Sequence, residues 1–352
     1  DFSFPGMVLY DSMKRSIKPI LLVALIGLLL FFFFRSLDFS QVGAHITGTK
    51  IRWLWTMFLF MPLQYYFRSL RWRLLLGKEK VSLGDVFSST SLGFAFNYLL
   101  PGRIGEWLRA YLLGRKGGLS TSYTFATVVL ERLLDLGATV FLAGLFFPFR
   151  KSLMGSFSSE PTVLTLISKG SLLAFLFLLS IAIFLFFLYR GGERSLALWT
   201  RWVHRFCPAR WAKPLAETGE RFLQGVISFF GNPHKGAILF HSLMVWVFIA
   251  ASYWVGLWDF ALTMKPFAII PYVVALLAGS SIPTPGMVGG FEALSQLALT
   301  GLYGMEANKA AAATILFHFS LIFATFLTAL PFFFREGGGL FRLALRRGEE
   351  RP

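Results

Sequence analysis

The sequence predicts an all-α polytopic membrane protein built from inverted repeats, with six full spans and two broken, re-entrant helical hairpins that meet near the bilayer midplane. Three observations carry this expectation. Of 352 residues, 55% are hydrophobic and only 15% charged, and 41 are phenylalanine, an apolar share above that of soluble domains. Two apolar stretches are interrupted by nearly the same signature: Pro101-Gly102-Arg103-Ile104-Gly105-Glu106, and Pro283-Thr284-Pro285-Gly286-Met287-Val288-Gly289-Gly290-Phe291-Glu292. Pro101 and Pro285 lie 184 positions apart, and the flanking apolar segments keep that offset.

Residues 1–6 precede Met7 and are set aside. The N-terminal segment 1–18 holds Lys14, Arg15 and Lys18. The apolar run that follows has no small-residue cleavage site, so it reads as an uncleaved anchor opening a transmembrane domain over 19–335. Hydropathy marks spans at 19–34, 52–67, 122–149, 170–189, 236–258 and 310–334. A crossing helix needs roughly 17–25 residues, so the two shortest require Arg35, Arg52 and Arg68 to snorkel to the interface.

The stretches 83–114 and 266–303 hold the two breaks. Each half is about 12–18 residues, marginal for a crossing, so each stretch reads as two half-helices that enter the membrane and return. Proline removes a backbone donor and glycine frees the dihedrals. In a bilayer, such a break is tolerated only where protein or a watery cavity covers it. Repeat one covers about 52–149 and repeat two about 236–334. Span 236–258 comes three full crossings after span 52–67, so the repeats run in opposite senses. A matched pair of interrupted segments is the sequence pointer to a transporter site at a repeat interface.

The net charge of +16 invites a nucleic-acid reading, but the basic residues cluster beside apolar spans, which points to anionic headgroups instead. With the N-terminus in the cytoplasm, the inner segments 1–18, 68–82, 115–121, 190–235 and 335–352 hold 23 Lys and Arg, against 7 in the outer loops. That bias places the protein in the cytoplasmic membrane with both termini inside. Residues 336–352 read as a basic tail, and 195–230 as an interfacial amphipathic linker broken near Pro208 and Pro214, with Trp199, Trp202 and Trp211 among basic residues.

Cys207 is the only cysteine, and the five histidines include no i, i+4 pair, so neither an intrachain disulfide nor a metal site is expected, and no cofactor. There is no Gly-x-x-x-x-Gly-Lys-Ser/Thr run for a nucleotide and no Asp-x-Asp motif.

The chemistry lies in ionisable residues inside apolar segments. Arg103, Glu106 and Arg109 recur at i, i+3, i+6 after the first break, and Glu131, Arg132 and Asp135 sit together in the next span. Each would cost about 2.5–3.5 kcal/mol alone in hydrocarbon, so they must face protein or a wet cavity and pair with one another. Two readings stand. In one, Arg103, Arg109 and Arg132 bind a phosphate while the acids orient them or meet a cationic group. In the other, the cluster is a structural salt bridge locking the hairpin to span 122–149. Glu292 is the lone acid near the second break and is expected to face the cavity. Asn97 either donates at the first tip or satisfies broken backbone there. His318, alone in an apolar span, is either a packing residue or a gating and proton-handling one.

At these residues the chain resembles the flippase-like transmembrane region of lysylphosphatidylglycerol synthases and its stand-alone relatives. The likeness covers about 15–335. It rests on Pro101-Gly102-Arg103-Ile104-Gly105-Glu106, Arg109, Glu131-Arg132-x-x-Asp135 and Pro283-x-Pro285-Gly286-x-x-Gly289-Gly290-Phe291-Glu292. The resemblance implies movement of a lipid between leaflets: an anionic or aminoacylated phospholipid, a hopanoid or a polyprenyl-linked lipid. Relatives often carry an arginine in the last span where this chain has His318. The sequence to Pro352 has no synthase domain, so a transporter is expected rather than an enzyme. The competing expectations are a membrane enzyme acting on lipid-linked substrates, such as a glycosyltransferase, and a non-transporting accessory subunit. A homo-oligomer is compatible with each.

Overall fold

The computed structural model describes residues 24–349 apart from 25, 32, 36, 51, 53, 78–80 and 156–160, so much of the expected N-terminal segment lies outside the described residues. Every regular element among the described residues is helical. After the short helix α1 (Phe39–Gly48), capped by the Asp38 carboxylate, come α2 (Thr56–Leu76), α3 (Leu83–Leu99) and α4 (Ile104–Gly117). They are followed by α5 (Thr121–Met154), α6 (Pro161–Gly191), α7 (Glu193–Phe206), α8 (Ala209–Phe230) and α9 (Lys235–Gly256). The chain ends with α10 (Ile270–Ser280), α11 (Gly290–Tyr303) and α12 (Ala307–Glu349).

The starts of α3 and α5 follow from sequence. Ser82 and Ser120 accept bonds from the amides of Asp85 and Tyr123, satisfying donors that a helix N-terminus leaves free. At the breaks, the three-residue turns Pro101–Arg103 and Pro285–Met287 separate α3 from α4, and stand between α10 and α11. Both breaks contain a left-handed pair, after which Ile104 enters α4 directly while extended Val288 and Gly289, at φ of 89°, precede α11. Gly102 and Arg103 have φ of 72° and 56°, and Gly286 and Met287 have φ of 63° and 63°. Two consecutive left-handed residues reverse the helix direction, and glycine takes the first at no steric cost. Arg103 and Met287 are side-chain-bearing residues held in that region, the kind of local strain that surrounding structure must impose.

The returning halves then pack closely. A methyl group on Gly105 would collide with the Gly93 carbonyl and with Asn97, which is why α3 and α4 approach so tightly. Helices α10 and α11 close in the same way through Gly279 and Gly290. Helix α2 lies along α9, and α12 touches α2, α3 and α11. Tyr272, Leu299 and Phe317 are among the residues of the larger apolar core, and Trp72, Leu113 and Val128 sit in a second.

Three differences from the sequence expectation matter. Helix α2 continues to Leu76, past the expected end at 67, because Trp72 and Leu74–Leu76 extend its apolar surface into the second core. The linker breaks at Cys207 and Pro208 but runs unbroken through Pro214 in α8, and α12 continues through the expected tail to Glu349. Among the described residues, two helices are long and apolar enough to cross a membrane by themselves, Lys235–Phe260 and Ala307–Glu336. A third is possible if the pair 175–191 and 193–206, bent by 105°, is one span. Helices α2 and α5 carry several ionised residues in mid-length: Arg68 and Arg71, and Glu131, Arg132 and Asp135.

Candidate functional site

The two breaks touch. Arg103, the N-cap residue of α4, donates Nη2 to the Ser280 carbonyl at 2.6 Å, reaching the last turn of α10 where a helix presents its negative end. Gly286 lies beside the Tyr98 carbonyl, which would stand 3.5 Å from a methyl group added there.

Behind the first break, the charges close into a ring. Asp135 takes Arg71 at 2.7 Å. Arg71 also holds Glu131 at 3.1 Å, and Glu131 takes Arg109 at 2.7 Å. Arg109 holds Glu106 at 2.7 Å, and Arg132 returns from Glu106 at 3.7 Å to Asp135 at 3.2 Å. Arg68 attaches to the outer oxygen of Asp135 at 2.7 Å and to Gln64 at 2.9 Å. The spacing explains the arrangement: Arg68 and Arg71 are one turn apart on α2, Glu106 and Arg109 one turn apart on α4, and Glu131 and Asp135 one turn apart on α5. Alternating signs let each of the six charges in the closed circuit, Arg71, Glu131, Arg109, Glu106, Arg132 and Asp135, meet at least two opposite ones, which offsets the desolvation a lone ion would suffer.

Aromatic faces seal the ring. The guanidinium carbons of Arg68, Arg109 and Arg132 lie 5.2, 5.7 and 5.7 Å from the Phe94 ring centre, and Arg109 lies 4.7 Å from that of Trp72. The Trp72 indole donates to Thr127 at 2.9 Å.

A cavity of about 330 Å³ opens where ring and breaks meet. Its lining includes the charged and polar residues Arg68, Asn97, Arg103, Glu106, Arg132 and Asp135, and the apolar residues Met57, Phe60, Trp246 and Phe248. Several polar atoms of lining residues are buried with no protein partner among the described residues: Arg132 Nε and Nη2, Asn97 Oδ1 and Thr284 Oγ1. The acids lack such freedom, since Glu106 and Asp135 each face at least two guanidinium groups.

At the second break, Glu292 Oε2 accepts the Gly289 amide at 2.6 Å, and its Oε1 meets His318 Nδ1 at 2.5 Å. His318 Nε2 meets the Gly286 carbonyl at 2.8 Å, and the imidazole stacks on Phe291 at 4.5 Å. The histidine thus ties α12 to the break, in the span where it was singled out.

Sequence reasoning therefore named residues that fall into three places. Arg103, Glu106, Arg132, Asp135 and Asn97 line the cavity. Arg109 and Glu131 stand behind it: the Arg109 guanidinium, expected to grip a phosphate, is instead engaged by Glu106 and Glu131. Glu292 and His318 hold the second break rather than the cavity wall. Pro101, Gly102 and Gly105 shape the first turn, while Pro283, Pro285, Gly286, Gly289 and Gly290 surround the second. The ring also contains Arg68 and Arg71, which were counted as inner-loop charges. The signal for them is present, because they are spaced i, i+3 and followed by Trp72 and Leu74–Leu76, a pattern that continues a helix rather than opening a loop.

The family described as the lysylphosphatidylglycerol synthase TM region matches residues 20–329. No curated protein and no solved structure gives a significant match.

Proposed function

The chain belongs to the lysylphosphatidylglycerol synthase transmembrane-region family, membrane proteins tied to lipid handling, and from that premise we propose that it is a lipid flippase that passes a phosphate-bearing headgroup between leaflets at the contact of its two breaks. The observation that carries this reading is the mixed lining of the cavity. It offers Arg103, which stands outside the ring, and Arg132, whose Nε and Nη2 the ring leaves without a partner, together with apolar side chains such as Met57, Phe60 and Phe248, so an amphiphile fits with its headgroup on the arginines and its apolar part on those side chains.

Charge favours phosphate over a cationic group as the part gripped. The five arginines 68, 71, 103, 109 and 132 face three acids, Glu106, Glu131 and Asp135, and the ring already engages all three acids. An anion between Arg103 and Arg132 balances part of the excess and accepts forked hydrogen bonds from the planar guanidinium groups. The ring keeps Arg132 in place, and the Ser280 carbonyl does so for Arg103.

Helix lengths support two re-entrant hairpins in an inverted repeat. Helices α4, α10 and α11 have 14, 11 and 14 residues, which at 1.5 Å per residue fall well short of a hydrocarbon core about 30 Å thick. The matching left-handed pairs at the two breaks support the repeat. In this reading α2 and α5 also cross, their charges hidden in the ring. With Arg68 and Arg71 taken out of the inner count because they lie in the ring, 21 Lys and Arg against 7 still favour both termini on the cytoplasmic side, and movement proceeds without nucleotide hydrolysis.

The test uses purified protein in vesicles carrying a fluorescent phosphatidylglycerol or a fluorescent neutral glycolipid without phosphate. The proposal expects faster leaflet exchange of phosphatidylglycerol than in empty vesicles, and little gain for the glycolipid. No acceleration of either lipid would remove the transport reading, and equal acceleration would remove the phosphate.

A further inference from the structure

We infer that Glu292 and His318 form a proton-binding site, and that its proton latches the second break to α12. The inference comes from counting donors and acceptors. His318 Nε2 faces the Gly286 carbonyl at 2.8 Å, and a carbonyl only accepts, so Nε2 must carry a hydrogen. His318 Nδ1 faces Glu292 Oε1 at 2.5 Å, and this contact needs a second hydrogen. An ionised glutamate with a neutral imidazole has one hydrogen for two contacts. The geometry therefore holds one proton more, either on the carboxyl or as imidazolium, and the count is the same for both placements.

The surroundings isolate this pair. Glu292 and His318 are 8% and 4% exposed. Glu292 Oε2 is occupied by the Gly289 amide, and among the described residues its one ion-pair partner is His318. The titratable groups on neighbouring elements are engaged elsewhere or approach only through their rings. Tyr98 of α3 has its ring 6.4 Å from the imidazole. Tyr65 of α2 bonds Thr325, and Tyr272 of α10 bonds Ser295. Tyr253 of α9 packs edge-on against Phe317. Across the cavity, Arg103 bonds the Ser280 carbonyl, and Arg132, Glu106 and Asp135 belong to the ring.

Loss of the proton to water leaves ionised Glu292 and a neutral imidazole, whichever group held it. One contact must then set two lone pairs face to face. The carboxylate is the stronger acceptor, so the one remaining ring hydrogen takes Nδ1: it is already there if the imidazolium lost its Nε2 proton, and it moves there from Nε2 by exchange with water if the carboxyl lost its own. The Gly286 carbonyl loses its donor in both cases. Gly286 is also the point where the second break lies against the Tyr98 carbonyl of the first. Deprotonation thus frees the second break at its contact with the first, and protonation fastens it.

The site stands whether or not a lipid is the cargo, so its test reads the proton and the backbone rather than transport. Nitrogen-15 spectra of histidine-labelled protein in detergent, assigned by the signal lost in His318→Gln, should show His318 Nε2 passing from protonated to bare as pH rises. Over the same range, hydrogen exchange at 287–289, corrected for intrinsic base catalysis, should speed up by about ten- to a hundredfold, the effect of losing one buried hydrogen bond. In Glu292→Gln, the amide oxygen can accept from Gly289 while its NH₂ donates to Nδ1. That variant should keep Nε2 protonated and show no extra exchange at any pH where it is folded. An Nε2 that stays protonated in the wild-type protein throughout its folded range, or the same exchange profile in wild type and Glu292→Gln, would overturn the inference.

Discussion

Replacing Arg71 by alanine separates a buried ring from an ordinary basic loop. Its side chain is fully buried and holds Asp135 at 2.7 Å, Glu131 at 3.1 Å and Ser242 at 3.2 Å. Removing one partner of a buried ion pair destabilises by about 3–5 kcal/mol, because the other charge is left without compensation. Here Asp135 keeps Arg68 and Arg132, and Glu131 keeps Arg109, so the expected loss is about 3 kcal/mol, the lower end of that range. At roughly 2–4 °C per kcal/mol for large domains, the melting midpoint should fall by about 6–12 °C. Arg73, two positions along the same helix, is exposed, and its alanine variant should stay within about 0.5 kcal/mol of the parent. Heating both variants in detergent and measuring the surviving monodisperse fraction by fluorescence-detected gel filtration gives the comparison. Equal shifts for Arg71→Ala and Arg73→Ala would refute the ring. Combining Arg71→Ala with Glu131→Gln should cost less than the sum of the two, because they share one contact.

Arg132→Ala and Arg109→Ala should differ in kind. Arg132 is partly exposed and its ion pairs are longer, 3.7 and 3.2 Å against 2.7 Å for both of Arg109's, so its loss should cut vesicle transport of phosphatidylglycerol roughly tenfold with a modest melting shift, while the second should melt early like Arg71→Ala. Gly105→Ala forces a methyl group into the Gly93 carbonyl and should lose about 1–3 kcal/mol in the same heating assay. Gly137→Ala on α5, where nothing lies within 4 Å, should be neutral or slightly stabilising.

The breaks were legible in the sequence because their cause is local. Proline and glycine fix the backbone wherever they stand, so Pro101-Gly102 and Pro285-Gly286 announced both turns, and the shared offset announced their likeness. Glu106, Arg132 and Asp135 were legible as inward-facing, mutually paired charges because ionisable groups in apolar helices have few other places to go. The ends of α2 were not. Arg68, Arg71 and Arg73 look alike in a hydropathy window. Only the acids opposite them, on a helix more than fifty positions away, decide that two are buried and one is exposed. The partition of Arg103, Arg109 and Arg132 was hidden for the same reason. Which arginine is left free depends on how Glu106 and Glu131 are shared, a property of packing between α4 and α5. Pro214 shows the opposite error: a residue that disfavours helix interiors is carried inside α8 without a break.

Where a phospholipid headgroup sits on the protein is the most direct test of the account. A phosphatidylglycerol bearing a photoreactive diazirine on its glycerol headgroup, irradiated with the protein in vesicles and mapped by peptide mass spectrometry, reports that place. Adducts should fall on cavity-lining residues such as Tyr98, Ser281 and Thr284, and should be lost when Arg103 and Arg132 are both replaced by alanine. Adducts confined to the outer apolar and aromatic faces, such as Trp199 and Trp202 of α7, and unchanged in that double variant, would contradict it.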